Sequence, residues 1–172
     1  SSSEKQMQEL LIALANLEDT QIIFTMPNAD TDGRTLINMV EEFVAQYSNA
    51  HAFTSLGQLR YLSCLAQVDG VVGNSSSGLA EVPSFKKGTI NIGDRQRGRL
   101  TADSVINCEP TQENISEAID TLYSPNFQKD LSQVCNPYGE GGASEKIVEI
   151  IKSVTLDRLL KKIFYDAGCL CE

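Results

Sequence analysis

The sequence predicts an α/β fold built on a doubly wound parallel sheet. Three observations predict it. Short apolar runs recur along the chain, amphipathic stretches of helical period separate them, and polar loops rich in Gly, Ser, Asn or Asp follow several of the runs. Strands separated by helices need crossover connections, which are right-handed and leave neighbouring strands parallel. No internal repeat, low-complexity tract or linker divides the 172 residues, so a single domain over 1–172 is expected.

Glu4 to Leu17 places Met7, Leu10, Leu11, Leu14 and Leu17 at three- and four-residue spacing and reads as an amphipathic helix. Gln21 to Thr25 is a buried strand. Thr31 to Tyr47 is a second helix, with Leu36, Met39, Val40, Phe43 and Val44 on one face. His51 to Thr54 is a short strand, Leu56 to Val68 a helix, and Gly70-Val71-Val72 a strand ending in a turn at Gly73-Asn74. A short helix from Ser76 leads to the strand Thr89 to Ile92, the polar loop Gly93 to Arg99 and an edge strand at Ser104 to Asn107. Thr111 to Tyr123 is a helix with Thr111 and Asn114 at capping-box spacing, Asn114 standing where Glu or Gln is usual. Pro125, Pro137, Gly139, Gly141 and Gly142 punctuate the remainder, and Ser144 opens a long helical tail towards Phe164 or Tyr165.

Composition excludes several classes. Lys and Arg number 14 against 23 Asp and Glu, a formal charge of −9. A general nucleic-acid binder needs a basic face to neutralise phosphates, so that class is excluded. No apolar run approaches the roughly 20 residues of a membrane span, and the start has no signal-peptide apolar region. A cytoplasmic protein is therefore expected. Five cysteines, Cys64, Cys108, Cys135, Cys169 and Cys171, are odd in number and scattered, which favours reduced thiols over a disulfide framework. Cys169 and Cys171 lack the second pair or nearby His that a metal site needs, so no metal is expected.

In a doubly wound sheet ligands bind beyond the carboxyl ends of the strands. The loop Gly73-Asn74-Ser75-Ser76-Ser77-Gly78-Leu79-Ala80-Glu81 follows a strand directly. Its glycines permit close backbone approach, its hydroxyls suit phosphate oxygens, and a helix starting there points N–H groups at an anion. Glu81, one turn on, has the chemistry to accept two hydrogen bonds from a sugar diol; a serine-capped helix with Glu81 in solvent is the competing reading. The loop Gly93-Asp94-Arg95-Gln96-Arg97-Gly98-Arg99 sets three arginines in five positions of an acidic chain. Guanidinium groups bind phosphate bidentately, so a small anionic ligand is the reading, with a solvated surface loop as its rival. Asn136 to Ser144 is glycine-rich and opens a helix, which suits either anion binding or plain capping. Met26 to Gly33 is a polar turn after the first strand, whose acids also suit capping of the next helix. Tyr61 suits stacking on a base or packing in the core. His51, the single histidine, reads as structural.

Together, Phe24 to Arg34, Val72 to Glu81, Ile92 to Arg99, and Asn136-Pro137-Tyr138-Gly139 with Gly142-Ala143-Ser144 resemble the UDP-N-acetylglucosamine 2-epimerase family, in its hydrolysing branch. The resemblance runs over nearly the whole chain. It implies a Rossmann-like domain that forms the C-terminal half of a glycosyltransferase-B-type two-domain fold, with the N-terminal domain absent. It assigns Ser75, Ser76 and Arg95 to the UDP diphosphate, Glu81 to the ribose, and Tyr61 with Leu56 to uracil. It assigns Asn28, Asp32, Ser77, Gly78, Gly141 and Gly142 to the cleft lining. One departure stands out: many relatives carry His-Pro where this chain has Met26-Pro27-Asn28, so the phosphate contact of that His falls away or passes to Asn28 or Asp32.

The resemblance also implies the reaction. UDP is eliminated anti from UDP-N-acetylglucosamine, and water adds to the resulting glycal with inversion at C2, releasing N-acetylmannosamine for sialic-acid-type sugars. The catalytic acids are expected in the missing domain, so the isolated domain is expected to be inactive; no cofactor is implied. A UDP-sugar glycosyltransferase domain of the same fold and a non-catalytic nucleotide-binding module are the alternatives. A homo-oligomer through the C-terminal helix, with its Leu159, Leu160, Ile163 and Phe164, is a further expectation.

Overall fold

A computed structural model describes residues 2–27 and 31–155; for Thr31 and Asp32 it describes the backbone alone. The chain divides into two compact units, residues 1–139 and 140–172. Among the described residues, five strands, six α-helices and two 3₁₀ turns make up the first, with strands and helices alternating over much of it as the periodicity predicts.

The first unit starts with α1 (Ser3–Leu14), whose free N-terminus is capped by Ser2 accepting from the Lys5 amide at 3.3 Å. β1 (Ile22–Thr25) and β2 (Ala50–Phe53) run parallel, with Ile22 opposite Ala50 and Thr25 opposite Phe53. Between them α2 (Thr31–Gln46) buries Val40 and Phe43. The Phe43 ring stacks on Tyr47 at 4.3 Å and meets the Phe24 ring edge-on at 5.7 Å, which fixes α2 over β1. The Asn49 amide donates to the carbonyls of Leu17 and Thr20, each at 2.8 Å, tying the entrances of both strands together.

β3 (Gly70–Gly73), β4 (Gly88–Ile92) and β5 (Val105–Cys108) form a second parallel ladder in that order, with α3 (Gly57–Gln67) leading in. The central strand β4 is buried at every position; the Thr89 hydroxyl donates to the Gly78 carbonyl and Asn91 Nδ2 to Asn107 Oδ1, while Asn91 Oδ1 has no partner among the described residues. α5 (Gln112–Tyr123) buries Ile115, Ala118, Ile119 and Leu122, one helical stripe, against β4 and β5. Thr111 caps it, accepting from the Asn114 amide at 3.3 Å, and Glu9 of α1 accepts from the Gln112 amide at 2.8 Å.

Two differences from the sequence-based expectation stand out. Backbone hydrogen bonds divide the strands into two ladders rather than one continuous sheet among the described residues. Side-chain packing joins them instead: Ile22, Phe43 and Ala50 share one core with Ile90, Ile92 and the α5 stripe, and α1 packs on both α2 and α5. Secondly, Pro125 does not merely interrupt. It occupies the first turn of α6 (Pro125–Asp130), where its missing N–H costs nothing, and Ser124 caps the Phe127 amide.

In the second unit, α7 (Ala143–Ser153) starts one residue before the expected Ser144 and ends at Ser153, with Val154 extended beyond it. The expected continuation to Phe164 or Tyr165, with Leu159, Leu160 and Ile163, lies outside the described residues. No described helix is long and apolar enough to cross a membrane.

Candidate functional site

The serine loop begins where β3 stops at Gly73, whose φ of 151° only glycine adopts without strain. Asn74, Ser75 and Ser76 lead into α4 (Ser77–Ala80), a single turn that buries Gly78 and Leu79. The Thr89 hydroxyl of β4 donates to the Gly78 carbonyl at 2.7 Å, and the Thr89 methyl occupies the space a side chain at Gly78 would need. Gly78 therefore lies in the packing under the loop rather than lining a cleft. Ser75 and Ser76 are exposed.

The expectation that this helix start offers free N–H groups to an anion needs correction. The Ser77 amide donates to Ser75 Oγ at 3.4 Å, the Gly78 amide to the Ser75 carbonyl at 3.2 Å and the Leu79 amide to the Ser76 carbonyl at 3.1 Å. With the Ser77, Gly78 and Leu79 amides used inside the loop, the donors left for an anion are the Ser75 and Ser76 amides and hydroxyls and the neighbouring guanidinium.

That guanidinium is Arg95. Its side chain donates to Asn74 Oδ1 at 3.3 Å, while Gln96 Nε2 donates to the Asn74 carbonyl at 2.7 Å. Gln96 is buried, 6% exposed, so the strut between the two loops is shielded from water. Arg97 and Arg99 go elsewhere. They line an open cleft of about 630 Å³ with Asn91, Asn107, Glu109 and Glu117, on which Arg95 does not border. Arg95, held on Asn74, and the pair Arg97 and Arg99 thus face different surroundings.

At the far end of α4 a second group forms. Ser77 Oγ donates to Glu81 Oε2, and the Tyr61 hydroxyl lies 2.5 Å from Ser77 Oγ. A serine hydroxyl has one proton, which goes to Glu81, so Tyr61 donates to Ser77. Burial raises the Tyr61 pKa above its ordinary value; the Ser77 bond opposes this, and the charges of Glu81 and Cys64 add to it. Tyr61 keeps its proton and holds the chain Tyr61–Ser77–Glu81 in one direction. Leu56, half-buried, stands immediately before α3.

The remaining sequence candidates are distributed unevenly. Asn28 and the side chain of Asp32 lie outside the described residues. Gly141 and Gly142 belong to the second unit, where Gly142, with φ of 73°, caps α7. His51 is exposed in β2, opposite Ile23. The connectors Asn74, Gln96 and Asn136 carry the site's architecture; the sequence places each in a candidate loop but assigns none of them a bracing contact. What marks Gln96 is its burial, which the sequence does not show.

The arrangement separates charge along one short helix. Exposed hydroxyls and a guanidinium occupy its start, and an exposed carboxylate with an ordered tyrosine occupies its end. Such a site suits a ligand that carries an anion and a pair of hydroxyls a few ångströms apart.

Comparison with known proteins shows what this chain is similar to. The sequence profile of the family described as UDP-N-acetylglucosamine 2-epimerase matches residues 1–152. The chain is 36% identical over 167 residues to the GDP/UDP-N,N'-diacetylbacillosamine 2-epimerase (hydrolyzing) of Campylobacter jejuni, covering 96% of this chain and 43% of that protein. It is equally 36% identical over 167 residues to the polysialic acid biosynthesis protein P7 of Escherichia coli, covering 96% and 42%. Among solved structures, S. aureus MnaA with UDP superposes with a TM-score of 0.70 at 20% identity, over 86% of this chain and 40% of that one. The chain spans less than half the length of these curated relatives. The fold is the Rossmann-like half of a glycosyltransferase-B-type molecule.

Proposed function

The chain belongs to the UDP-N-acetylglucosamine 2-epimerase family, and from that premise we propose that residues 1–172 form the UDP-binding C-terminal domain of a hydrolysing epimerase. The observation that carries the reading is the serine loop with its two flanks: Arg95 held on Asn74 at one end, Tyr61–Ser77–Glu81 at the other. In this reading Ser75, Ser76 and Arg95 take the diphosphate, Glu81 the ribose hydroxyls, and Tyr61 with Leu56 the uracil.

The chemistry follows from that placement. Elimination of UDP from C1 with loss of the C2 proton leaves negative charge on the departing phosphate, and a guanidinium with two hydroxyls stabilises it. The base that removes the C2 proton belongs to the other half of the protein, so this chain alone is inactive. Water then adds to the glycal, and the free 2-epimeric amino sugar leaves. The protein acts in the cytoplasm, supplying sialic-acid-type sugars, and it self-associates through the C-terminal helix.

The substrate has two candidates. UDP-N-acetylglucosamine fits the family. A UDP-linked diacetamido sugar is favoured by the likeness to the Campylobacter jejuni enzyme. Incubating the full-length protein with each sugar nucleotide, without any acceptor, tests the reading. Release of UDP and the free 2-epimer from either is the expected result; turnover that depends on an acceptor overturns it in favour of a glycosyltransferase, and no turnover with either leaves a binding module.

A further inference from the structure

Asn136 stands 56 residues beyond Ala80 and 52 beyond Ser84 in sequence, yet it is bonded to both, on either side of Glu81. The reason lies in how α4 ends. At Glu81 the backbone turns to φ −107°, ψ −47°, and the chain continues as the 3₁₀ turn Val82–Phe85 with Pro83 near its start. In a continuing α-helix the Ser84 amide would donate to the Ala80 carbonyl; here it donates to the Glu81 carbonyl at 3.0 Å. The Ala80 carbonyl is thereby released, and Asn136 Nδ2 donates to it at 2.8 Å. The same amide nitrogen donates to Ser84 Oγ at 2.7 Å, and Asn136 Oδ1 accepts from the Tyr138 amide at 2.9 Å. Beside it Lys86, in the left-handed region at φ 55°, donates its Nζ to the Val134 carbonyl.

We propose that Asn136 is a positioning residue that fixes the backbone on either side of Glu81, so that the Glu81 carboxylate meets the ribose hydroxyls of the nucleotide. This rests on the reading of Glu81 given above. Asn136 does not touch the ligand; it acts by satisfying a carbonyl, that of Ala80, which the change of helix type leaves open. The Asn136–Gly139 turn, with its sequence signature of an anion loop, is on this view a brace.

The test separates ribose recognition from general folding. The full-length protein and its variants are titrated with UDP and with 2′,3′-dideoxy-UDP, which lacks the diol. Asn136→Asp keeps the size of the side chain and its bond to the Tyr138 amide, but has no donor for Ala80. Expected is a loss of UDP affinity of about tenfold, the order of one charge-assisted hydrogen bond, with affinity for the dideoxy nucleotide unchanged. Equal loss for both nucleotides, or none, overturns the proposal. Should Asn136→Asp fold poorly, Ser84→Ala removes the second acceptor at an exposed position; a smaller loss of the same selectivity is expected, and unaltered selectivity counts against the proposal. Glu81→Gln serves as the reference. If it leaves the preference for UDP intact, the ribose reading itself fails; if it abolishes the preference while Asn136→Asp does not, only the role of Asn136 fails.

Discussion

Tyr61, in α3, donates its hydroxyl to Ser77 in α4, 2.5 Å away, and Ser77 passes a hydrogen bond on to Glu81. One bond therefore links the helix that leads into β3 with the loop that leaves it. Tyr61→Phe removes only the donor, because Ser77 can still donate to Glu81. A stability loss of about 0.5–1.5 kcal/mol is expected from a urea unfolding midpoint. Ser77→Ala combined with Tyr61→Phe should cost less than the two single losses added, since both remove the same bond. Strict additivity would show that the contact carries no energy.

Arg95 and the pair Arg97 and Arg99 face different surroundings, and their substitution should separate accordingly. Arg95→Ala in the full-length protein is expected to weaken UDP binding by about 1.5–3 kcal/mol, the range for a hydrogen bond to a charged group. Arg97→Ala and Arg99→Ala, whose side chains line the other cleft, should stay within about 0.5 kcal/mol of the parent. Calorimetric titration reads all three. Equal losses at all three positions would mean that the loop rearranges to gather its arginines around one anion.

Gly78 is held against β4. A β-carbon there would lie 2.6 Å from Thr89 Cγ2, and Thr89 cannot turn away without giving up its bond to the Gly78 carbonyl. Gly78→Ala should therefore destabilise the chain by about 1–3 kcal/mol through overpacking. Thr89→Ser keeps the hydroxyl and deletes the methyl, so the double variant should recover most of the loss in thermal unfolding. No recovery would place the strain elsewhere.

Cys108 has its thiol pushed up to about 11 by burial, with the Glu109 charge adding to the effect. Since the thiolate is the nucleophile, iodoacetamide at pH 8 should label the exposed Cys135 well before Cys108, as peptide mass spectrometry would show. The same shift has a consequence for stability. A proton held more tightly in the folded state favours folding below the unfolded pKa, near 9, and that contribution is lost as pH rises towards 11. Tyr61, also raised, acts in the same direction. Urea midpoints should fall between pH 9 and 11, less steeply in Cys108→Ala; a midpoint that rises over this range would contradict the assignment.

The order and type of the elements were legible in the sequence because each rests on many residues at once. The α5 stripe of Ile115, Ala118, Ile119 and Leu122, and the alternation of Ile90 and Ile92 with Thr89 and Asn91 in β4, survive small errors at any single position. The helix α6 is too short to show a period, so Pro125 reads as punctuation although Ser124-Pro125 is an ordinary helix start. The motifs that mark the family are contiguous stretches, and they too needed no tertiary information.

Tertiary structure decided which partner each polar side chain takes. Arg95 and Gln96 meet Asn74 across 21 and 22 residues, and Asn136 meets Ala80 and Ser84 across more than fifty. A hydrogen bond depends on a few tenths of an ångström, set by how distant segments pack and not by the residues between them. For the same reason three arginines in one short loop, adjacent in sequence, part into two sites. Periodicity sufficed for the fold of this chain; the division of its charges was settled only when β3, β4 and the loops beyond them came together.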